Sequence, residues 1–400
     1  MSHRRILIGI SAVVMLFAST AAPAQGAATP NESFWSSRDV QIPADPKAPV
    51  VRIAIWDSGV DITLFDKQLA RDPSGQPIVR GYDGFKRRQD TPLAVLPEAI
   101  ANRKDELNQI LQASDDRDGR VESDRAKALS ELLKRQTPAE AAEFDSVVGR
   151  WGGYAHGTAV ADISLTGHAR SEIVIARMEW WHGSPPVPCW TRELADREAD
   201  SMRDLIAFLI ENKVRVVNMS WGRFEKSYLS NLEQCAPDMP LNERQSLARY
   251  TVERIRAVLR DGMASAPDVL FVGAAGNAGA SVEAANPATR FSLPNFILVG
   301  AVDRNGAITD FSNTGPEVTL YANGDRVPAR LPGGALSFPS GTSMATPLVT
   351  NAAAKMLAVN PRLTGAQLRT LLEQTATANE TGQRLLHTKQ AVEAASKAGL

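Results

Sequence analysis

The sequence has almost no excess of charge of either sign and few histidines and cysteines. Its 44 basic and 45 acidic residues give a net charge of −1, which offers no attraction for nucleic acid or an anionic membrane surface. The H-E-x-x-H pattern of zinc hydrolases is absent, and His168 and His182 form no recognisable ligand set. What remains is a globular chain of 400 residues, 44% hydrophobic and 22% charged, long enough for one large domain or two ordinary ones.

Long hydrophobic runs are also scarce, and the single one lies near the N-terminus. The thirteen residues ILIGISAVVMLFA follow Arg4 and Arg5 and precede the small residues A-P-A at 22–24. The run is shorter than the ~20 residues of a membrane span, and the pattern is typical of a cleavable export signal. We therefore predict a signal peptide over 1–24 and a polar arm over 25–49. The protein is expected to be periplasmic or extracellular, without membrane attachment after cleavage.

Only two cysteines are present, Cys189 and Cys235. An oxidising compartment favours a disulfide between them, and closing a loop of about 47 residues would stabilise the fold by roughly 4 kcal/mol on the chain-entropy estimate. Two unpaired thiols are the alternative that the sequence leaves open.

From residue 50 onward, short apolar runs alternate with amphipathic segments. Five runs rich in β-branched residues are predicted to be buried parallel strands: 50–56, 172–178, 214–220, 268–274 and 295–302. Helices are predicted at 157–165, 191–212, 242–262 and 342–359. This alternation predicts an α/β domain over 50–398, with a mostly parallel central sheet and helices on both faces. Active sites of such sheets lie at the carboxyl ends of the strands.

A charged segment at about 86–150 interrupts this alternation. It contains 25 charged residues among 65, and apolar spacing in two stretches, around Leu107 and around Leu129, predicts two exposed helices. We interpret the segment as a helical insertion. It is either a solvated excursion or a lid or partner-docking surface.

One stretch of this insertion, S-D-D-R-D-G-R-V-E-S-D-R at 114–125, has part of the spacing of a calcium-binding loop. Asp116, Asp118 and Gly119 are suitably placed. Ser114 and Arg125, however, stand at the first and last positions, where carboxylates are needed. Structural calcium therefore has no clear motif, and no metal is assigned.

Three motifs each carry a group that acyl transfer needs. Asp57 ends the first predicted strand in W-D-S-G-V-D, and His156 is predicted to stand just before a helix in Y-A-H-G-T. Ser343 lies in G-T-S-M-A-T-P at a helix start, where Pro347 is tolerated. Singly, these residues would be a turn former, a packed histidine and a helix cap. Together they supply an acid, a base and a nucleophile.

A fourth motif supplies a donor for the tetrahedral intermediate. Asn277 follows the strand DVLFV in G-A-A-G-N-A-G. Its amide N–H could stabilise an oxyanion beside the backbone N–H of Ser343. A simple turn is the alternative when this segment is considered alone.

The motifs D-S-G, H-G-T, A-A-G-N and G-T-S-M-A-T-P, in this order, resemble those of the subtilisin-like serine proteases, the subtilase or peptidase S8 family. The resemblance covers roughly residues 50–395. It implies a three-layer subtilisin-like fold, the triad Asp57, His156 and Ser343, the oxyanion donor Asn277, and a polypeptide substrate cleaved without a cofactor.

The resemblance also implies a substrate-binding strand and a facing wall. The strand corresponds to Ser220, Trp221 and Gly222, against which a peptide would pair in extended form. The facing wall corresponds to Ala274, Ala275 and Gly276. Trp221 replaces a smaller apolar residue of the family, so it either narrows the subsites or simply packs.

Other classes fit less well. An α/β-hydrolase needs G-x-S-x-G and the order nucleophile, acid, histidine, but Ala345 replaces the second glycine. His387 follows Ser343, but no aspartate does, which leaves only Glu373, Glu380 and Glu393 as acids. A dinucleotide site built on G-A-A-G-N-A-G lacks the following helix. The expected function is an exported serine endopeptidase. The alternatives are a narrow-specificity processing protease and a catalytically inactive homologue that binds peptides.

Overall fold

The computed structural model describes residues 32–43, 45, 48–179, 188–282 and 291–399. The predicted signal peptide over 1–24 and the start of the predicted arm lie outside these residues, as does His182.

The secondary structure of the described residues alternates strands and helices from Val51 onward. The helices are α1 (Glu32–Ser36), α2 (Glu98–Ala101), α3 (Lys104–Asp118), α4 (Asp124–Arg135), α5 (Pro138–Leu165), α6 (Arg192–Glu211), α7 (Glu225–Cys235), α8 (Leu241–Ala264), α9 (Thr342–Val359), α10 (Gly365–Thr375) and α11 (Thr388–Lys397). The strands are β1 (Val51–Asp57), β2 (Val79–Tyr82), β3 (Ser171–Met178), β4 (Val216–Met219), β5 (Leu270–Ala274), β6 (Phe296–Val302), β7 (Leu320–Asn323), β8 (Ala329–Arg330), β9 (Leu336–Ser337), β10 (Thr377–Ala378) and β11 (Arg384–Leu385).

The central sheet has nine strands among the described residues, in the order β10-β11-β7-β6-β5-β4-β1-β3-β2. Every neighbouring pair is parallel except β10 and β11, while β8 and β9 form a separate antiparallel pair. The predicted α/β class with a mostly parallel sheet is therefore confirmed. The five predicted strands are all present, with ends shifted by one or two residues; Ser220 thus lies just beyond β4.

Alternate side chains of each central strand enter two different cores. In β1, Ile53 and Ile55 pack on the side that carries α5 and α9, whereas Ala54 and Trp56 pack on the side that carries α6 and α8. A strand that is buried on both faces needs a continuous run of apolar residues, and β1 has one from Ile53 to Trp56. The result is a three-layer arrangement.

The prediction that His156 precedes a helix is wrong, because this histidine lies well inside α5. That helix runs for 28 residues from the charged insertion to the core. It starts with a capping box in which Thr137 and Glu140 satisfy each other's backbone N–H groups, with Pro138 in the first turn. Burial of its second half outweighs the weak helix propensity of its glycines. The insertion is thus continuous with the helix that carries His156.

The insertion itself packs on the domain through polar contacts and through apolar side chains of α3 such as Leu111. Helices α3 and α4 confirm the two predicted helices. Asn108 of α3 donates to the Pro332 carbonyl at 3.0 Å and accepts from the indole N–H of Trp151 in α5 at 2.9 Å. The insertion is therefore connected both to the β8–β9 region and to the helix of His156.

The segment that resembled a calcium loop begins inside α3, which extends to Asp118. The Asp116 carboxylate accepts from the guanidinium groups of Arg125 at 2.5 Å and Arg326 at 3.0 Å. Arginine thus takes the place that a cation would need at this carboxylate.

Two further observations concern the disulfide and the character of the helices. Cys189 and Cys235 form a disulfide with a Cα–Cα distance of 5.5 Å, so the predicted pairing is confirmed. Among the helices of the described residues, none combines the length and apolar character that a bilayer crossing needs.

Candidate active site

The carboxylate of Asp57 and the imidazole of His156 meet at the carboxyl end of β1. Asp57 is the last residue of the strand and is fully buried. Its Oδ1 lies 2.8 Å from Nδ1 of His156 and also accepts from the Ser58 backbone N–H at 2.7 Å. A carboxylate can only accept at this contact, so Nδ1 carries the proton and Nε2 is left as the basic nitrogen.

Glycine at position 157 allows this close approach of helix and strand. A Cβ on Gly157 would stand 2.3 Å from the Gly59 carbonyl oxygen and 3.0 Å from Asp57 Oδ1. Two hydrogen bonds connect α5 to the residues that follow β1. Gly157 N donates to Ser58 Oγ at 3.1 Å, and Asp61 N donates to Thr158 Oγ1 at 3.0 Å. The H-G-T motif therefore docks α5 on the loop that follows β1.

Ser343 is the second residue of α9 and pairs with Ser220. The Ser343 hydroxyl donates to the Ser220 carbonyl at 3.1 Å, and the Ser220 hydroxyl donates to the Ser343 carbonyl at 2.9 Å. Asn218 of β4 donates to that Ser220 hydroxyl at 2.9 Å. The residue that follows β4 is thus held against the first turn of α9. Ser343 does not act as a side-chain cap of its own helix.

The first turn of α9 is capped instead by Asn277. The Asn277 Oδ1 accepts from both the backbone N–H and the hydroxyl of Thr342, each at 2.8 Å. The Thr342 hydroxyl in turn accepts from the Gly276 backbone N–H at 3.1 Å. Because Oδ1 is used in this way, the amide group must present Nδ2, its donor, in the other direction.

The two candidate oxyanion donors converge on an empty space beside Gly341. A Cβ on Gly341 would lie 3.3 Å from Asn277 Nδ2 and 3.7 Å from the Ser343 backbone nitrogen. The Ser343 N–H belongs to the first turn, where amides have no carbonyl partner within the helix. Gly341 has φ 152° and ψ 160°, a conformation open mainly to glycine. Asn277 Nδ2 and the Ser343 nitrogen thus both lie close to this space.

The predicted substrate strand and its facing wall lie on β4 and β5 and the residues that follow them, and these strands are neighbours in the sheet. The indole N–H of Trp221 donates to the Trp56 carbonyl at 2.7 Å, and the two indole rings pack edge to face 5.1 Å apart. This contact favours the packing role for Trp221. Ala274 ends β5, and Ala275 and Gly276 continue towards Asn277.

Asn313 organises the facing wall, and sequence reasoning missed it. Its Nδ2 donates to the Ala275 carbonyl at 2.9 Å, and its Oδ1 accepts from the backbone N–H groups of Ala278 and Ala280. It thus holds both ends of the loop that presents Asn277. Nothing in the local sequence around F-S-N-T-G distinguishes this asparagine from an ordinary turn residue.

A buried charged cluster behind the substrate strand was also missed. Glu198 of α6 accepts from Arg223 at 2.8 Å and lies 3.8 Å from the ammonium of Lys86. Burial by itself would raise the pKa of the Glu198 carboxyl, but the charges of Lys86 and Arg223 outweigh it and hold that pKa below its ordinary value. The cluster fixes Arg223, which directly follows Gly222.

Within the part of the chain that the structure describes, no three His, Cys, Asp or Glu side chains are grouped as a metal ion would require.

Several known proteins are similar to this chain in sequence. A sequence profile of the "Subtilase family" matches residues 50–392. Subtilisin E of Bacillus subtilis is 40% identical over 109 residues, which are 27% of this chain and 29% of that protein. The thermostable alkaline protease of Halalkalibacterium halodurans is 31% identical over 198 residues, 48% of this chain and 46% of that protein. The chain therefore spans less than half the length of these curated relatives.

Solved structures share the fold at low sequence identity. A subtilase cytotoxin superposes with a TM-score of 0.50 and 18% identity, covering 88% of this chain and 91% of the toxin chain. A lanthipeptide protease superposes with a TM-score of 0.50 and 15% identity, covering 86% of this chain and 87% of its own. Given the extent of the family match, the chain belongs to the subtilase family of serine-type peptidases.

Proposed function

We propose that this chain is an exported serine endopeptidase in which Asp57, His156 and Ser343 form the catalytic triad. The observation that carries the proposal is that Asn277 Nδ2 and the Ser343 nitrogen both lie within 4 Å of one point beside Gly341, in a chain that also pairs Asp57 with His156 at 2.8 Å. Two N–H donors near one point are what stabilisation of a tetrahedral oxyanion requires.

The first half of the reaction transfers an acyl group to Ser343. The Ser343 hydroxyl turns from the Ser220 carbonyl to Nε2 of His156 and gives up its proton as Oγ attacks the peptide carbonyl carbon. Asp57 holds the imidazole in the required tautomer and stabilises the imidazolium. His156 then protonates the leaving amine, and water hydrolyses the acyl-enzyme by the same steps.

The developing oxyanion is stabilised by Asn277 and the first turn of α9. Loss of one such donor typically costs about 3 to 4 kcal/mol of transition-state stabilisation. The positive end of α9 favours negative charge at the same place.

Export is supported by two features that agree. The N-terminal pattern is typical of a signal peptide, and the disulfide between Cys189 and Cys235 is expected to persist in an oxidising compartment. A polypeptide is the proposed substrate.

A fluorophosphonate probe tests the proposal directly, because it phosphonylates an activated serine. We expect labelling of the wild type and of Ser340→Ala, a control three residues away, and none of Ser343→Ala. Equal labelling of wild type and Ser343→Ala would contradict the triad. Labelling without turnover of casein would instead identify a processing enzyme of narrow specificity.

A further inference from the structure

Phe224 lies in the gap between the substrate strand and the facing wall. Its ring is one of the few large apolar side chains of the described residues that are exposed, at 44%. The ring carbons Cε2 and Cζ stand 2.7 and 2.8 Å from the position that a Cβ on Gly222 would take. Cζ is also 3.6 Å from the corresponding position on Gly276. One edge of the ring therefore touches both sides of the gap.

This gap is next to the reacting atoms. Ser220 contacts the Ser343 hydroxyl at the start of one side, and Gly276 directly precedes Asn277 on the other. A peptide carbonyl that is attacked by Ser343, with its oxygen near Asn277, belongs to a residue placed between these two sides. Side chains of an extended peptide alternate in direction, so that residue directs its side chain either into the gap or out to solvent. A side chain directed into the gap would meet the Phe224 ring.

The backbone around Phe224 is held in place on both sides. Arg223 is buried, with Nε donating to Glu198 at 2.8 Å and one guanidinium nitrogen donating to the Gly222 carbonyl at 3.2 Å. Arg256 donates to the Arg223 carbonyl at 3.3 Å. Phe224 is itself the N-cap residue of α7, with φ −129° and ψ 143°. With its backbone fixed, the ring has only two side-chain torsions to vary.

We propose that Phe224 closes most of the pocket for the residue on the acyl side of the scissile bond, so that the enzyme selects Gly, Ala or Ser there. Glycine at 222 is needed for the ring to fit, since a Cβ there would overlap it, whereas a Cβ on Gly276 would make ordinary contact with the ring at 3.6 Å. A phenylalanine side chain on the substrate would compete with the Phe224 ring for the same space. This inference rests on the proposed endopeptidase function and adds the substrate class.

The test compares two tetrapeptide p-nitroanilides that differ only in Ala or Phe next to the scissile bond. A difference of a methylene group in a hydrophobic pocket is worth roughly 10- to 200-fold in kcat/KM, so we expect the wild type to prefer the Ala substrate by at least tenfold. Phe224→Ala should lower that Ala-to-Phe ratio by at least tenfold, with the change concentrated in the Phe substrate. Phe224→Leu should give an intermediate ratio.

Val359→Ala is the matched control. It also removes an exposed apolar side chain, 41% exposed, at the far end of α9. That position is about 24 Å from Ser343 at the helical rise per residue. Its Ala-to-Phe ratio should equal that of the wild type.

A processing enzyme of narrow specificity would not hydrolyse short p-nitroanilides. Its selectivity can be measured instead by the rate at which a phosphonate inactivates it. Peptidyl diphenyl phosphonates with an Ala or Phe side chain inactivate through Ser343, and their rates should show the same selectivity and the same loss of it in Phe224→Ala. If the fluorophosphonate labels Ser343 but the ratio of Phe224→Ala stays within threefold of wild type, Phe224 does not select the substrate. Absence of labelling by the fluorophosphonate would instead overturn the proposed function itself.

Discussion

Replacement of Gly341 by alanine probes the oxyanion space without removing either donor. The new Cβ would lie 3.3 Å from Asn277 Nδ2 and 3.7 Å from the Ser343 nitrogen, a tight but tolerable fit. An oxyanion needs to come to about 2.7 to 3.1 Å from its donors, so the methyl group would occupy the space that the oxygen requires. We expect kcat to fall by about 10²- to 10³-fold, the effect of losing one donor.

The backbone at Gly341 adds a cost that must be separated from this effect. Its φ of 152° and ψ of 160° are glycine-only values, and alanine there is expected to cost about 1 to 3 kcal/mol of stability. Gly382→Ala is the matched control, because Gly382 has φ 87° and no atom within 4 Å of its Cβ position. Both variants should be less stable in urea, but only Gly341→Ala should lose activity.

The assay is steady-state hydrolysis of a peptide p-nitroanilide, with urea unfolding followed on the same samples. KM should change less than kcat, because the blocked contact forms only in the transition state. A folded Gly341→Ala enzyme that keeps kcat within threefold of the wild type would show that the oxyanion forms elsewhere.

Three further predictions concern stability. Replacing Cys189 and Cys235 together by alanine should lower the free energy of unfolding by about 4 kcal/mol, since the disulfide closes a loop with a sequence separation of 46; an unchanged urea midpoint would refute this. Glu198→Gln should cost roughly 3 to 5 kcal/mol because it leaves two buried cations without their counter-charge, whereas the exposed Glu193→Gln on the same helix should change stability by less than about 0.5 kcal/mol. Burial lowers the pKa of His168 to about 4 from 6.5, so the folded state favours its neutral form. The stability from this group is complete above pH 6.5 and is lost as the pH falls towards 4, by roughly 3 kcal/mol. In His168→Gln, the free energy of unfolding should no longer show this loss between pH 6.5 and 4. If the variant loses as much stability as the wild type, the acid sensitivity belongs to other groups.

The fold was predictable where information is local. A strand buried on both faces needs an unbroken apolar run, and β1, β3 and β5 show one. Helix α5 was only partly recognised, because its glycines and charged first half read as loop and insertion. Its continuity depends on burial of the second half against α9 and the sheet, and no local pattern reports that burial.

For the candidate site, the sequence likewise indicated which residues take part but not how they contact one another. Acyl transfer demands particular residue types, so Asp57, His156, Ser343 and Asn277 were identifiable from their motifs before any contact was known. Their contacts depend on residues far apart in the chain, such as the 99 positions between Asp57 and His156. Asn313 carries no motif, because its task is only to hold another loop.

By itself, the sequence determined the family, the order of the strands and helices along the chain, and the candidates for the reacting groups, because each of these follows from residue type and spacing. The tertiary structure decided the direction of Asn277 Nδ2, the empty space beside Gly341 and the position of the Phe224 ring between Gly222 and Gly276. These features arise where separate segments pack against one another. Steric packing between segments that are distant in sequence sets these positions, and the spacing of residues along the chain does not report it.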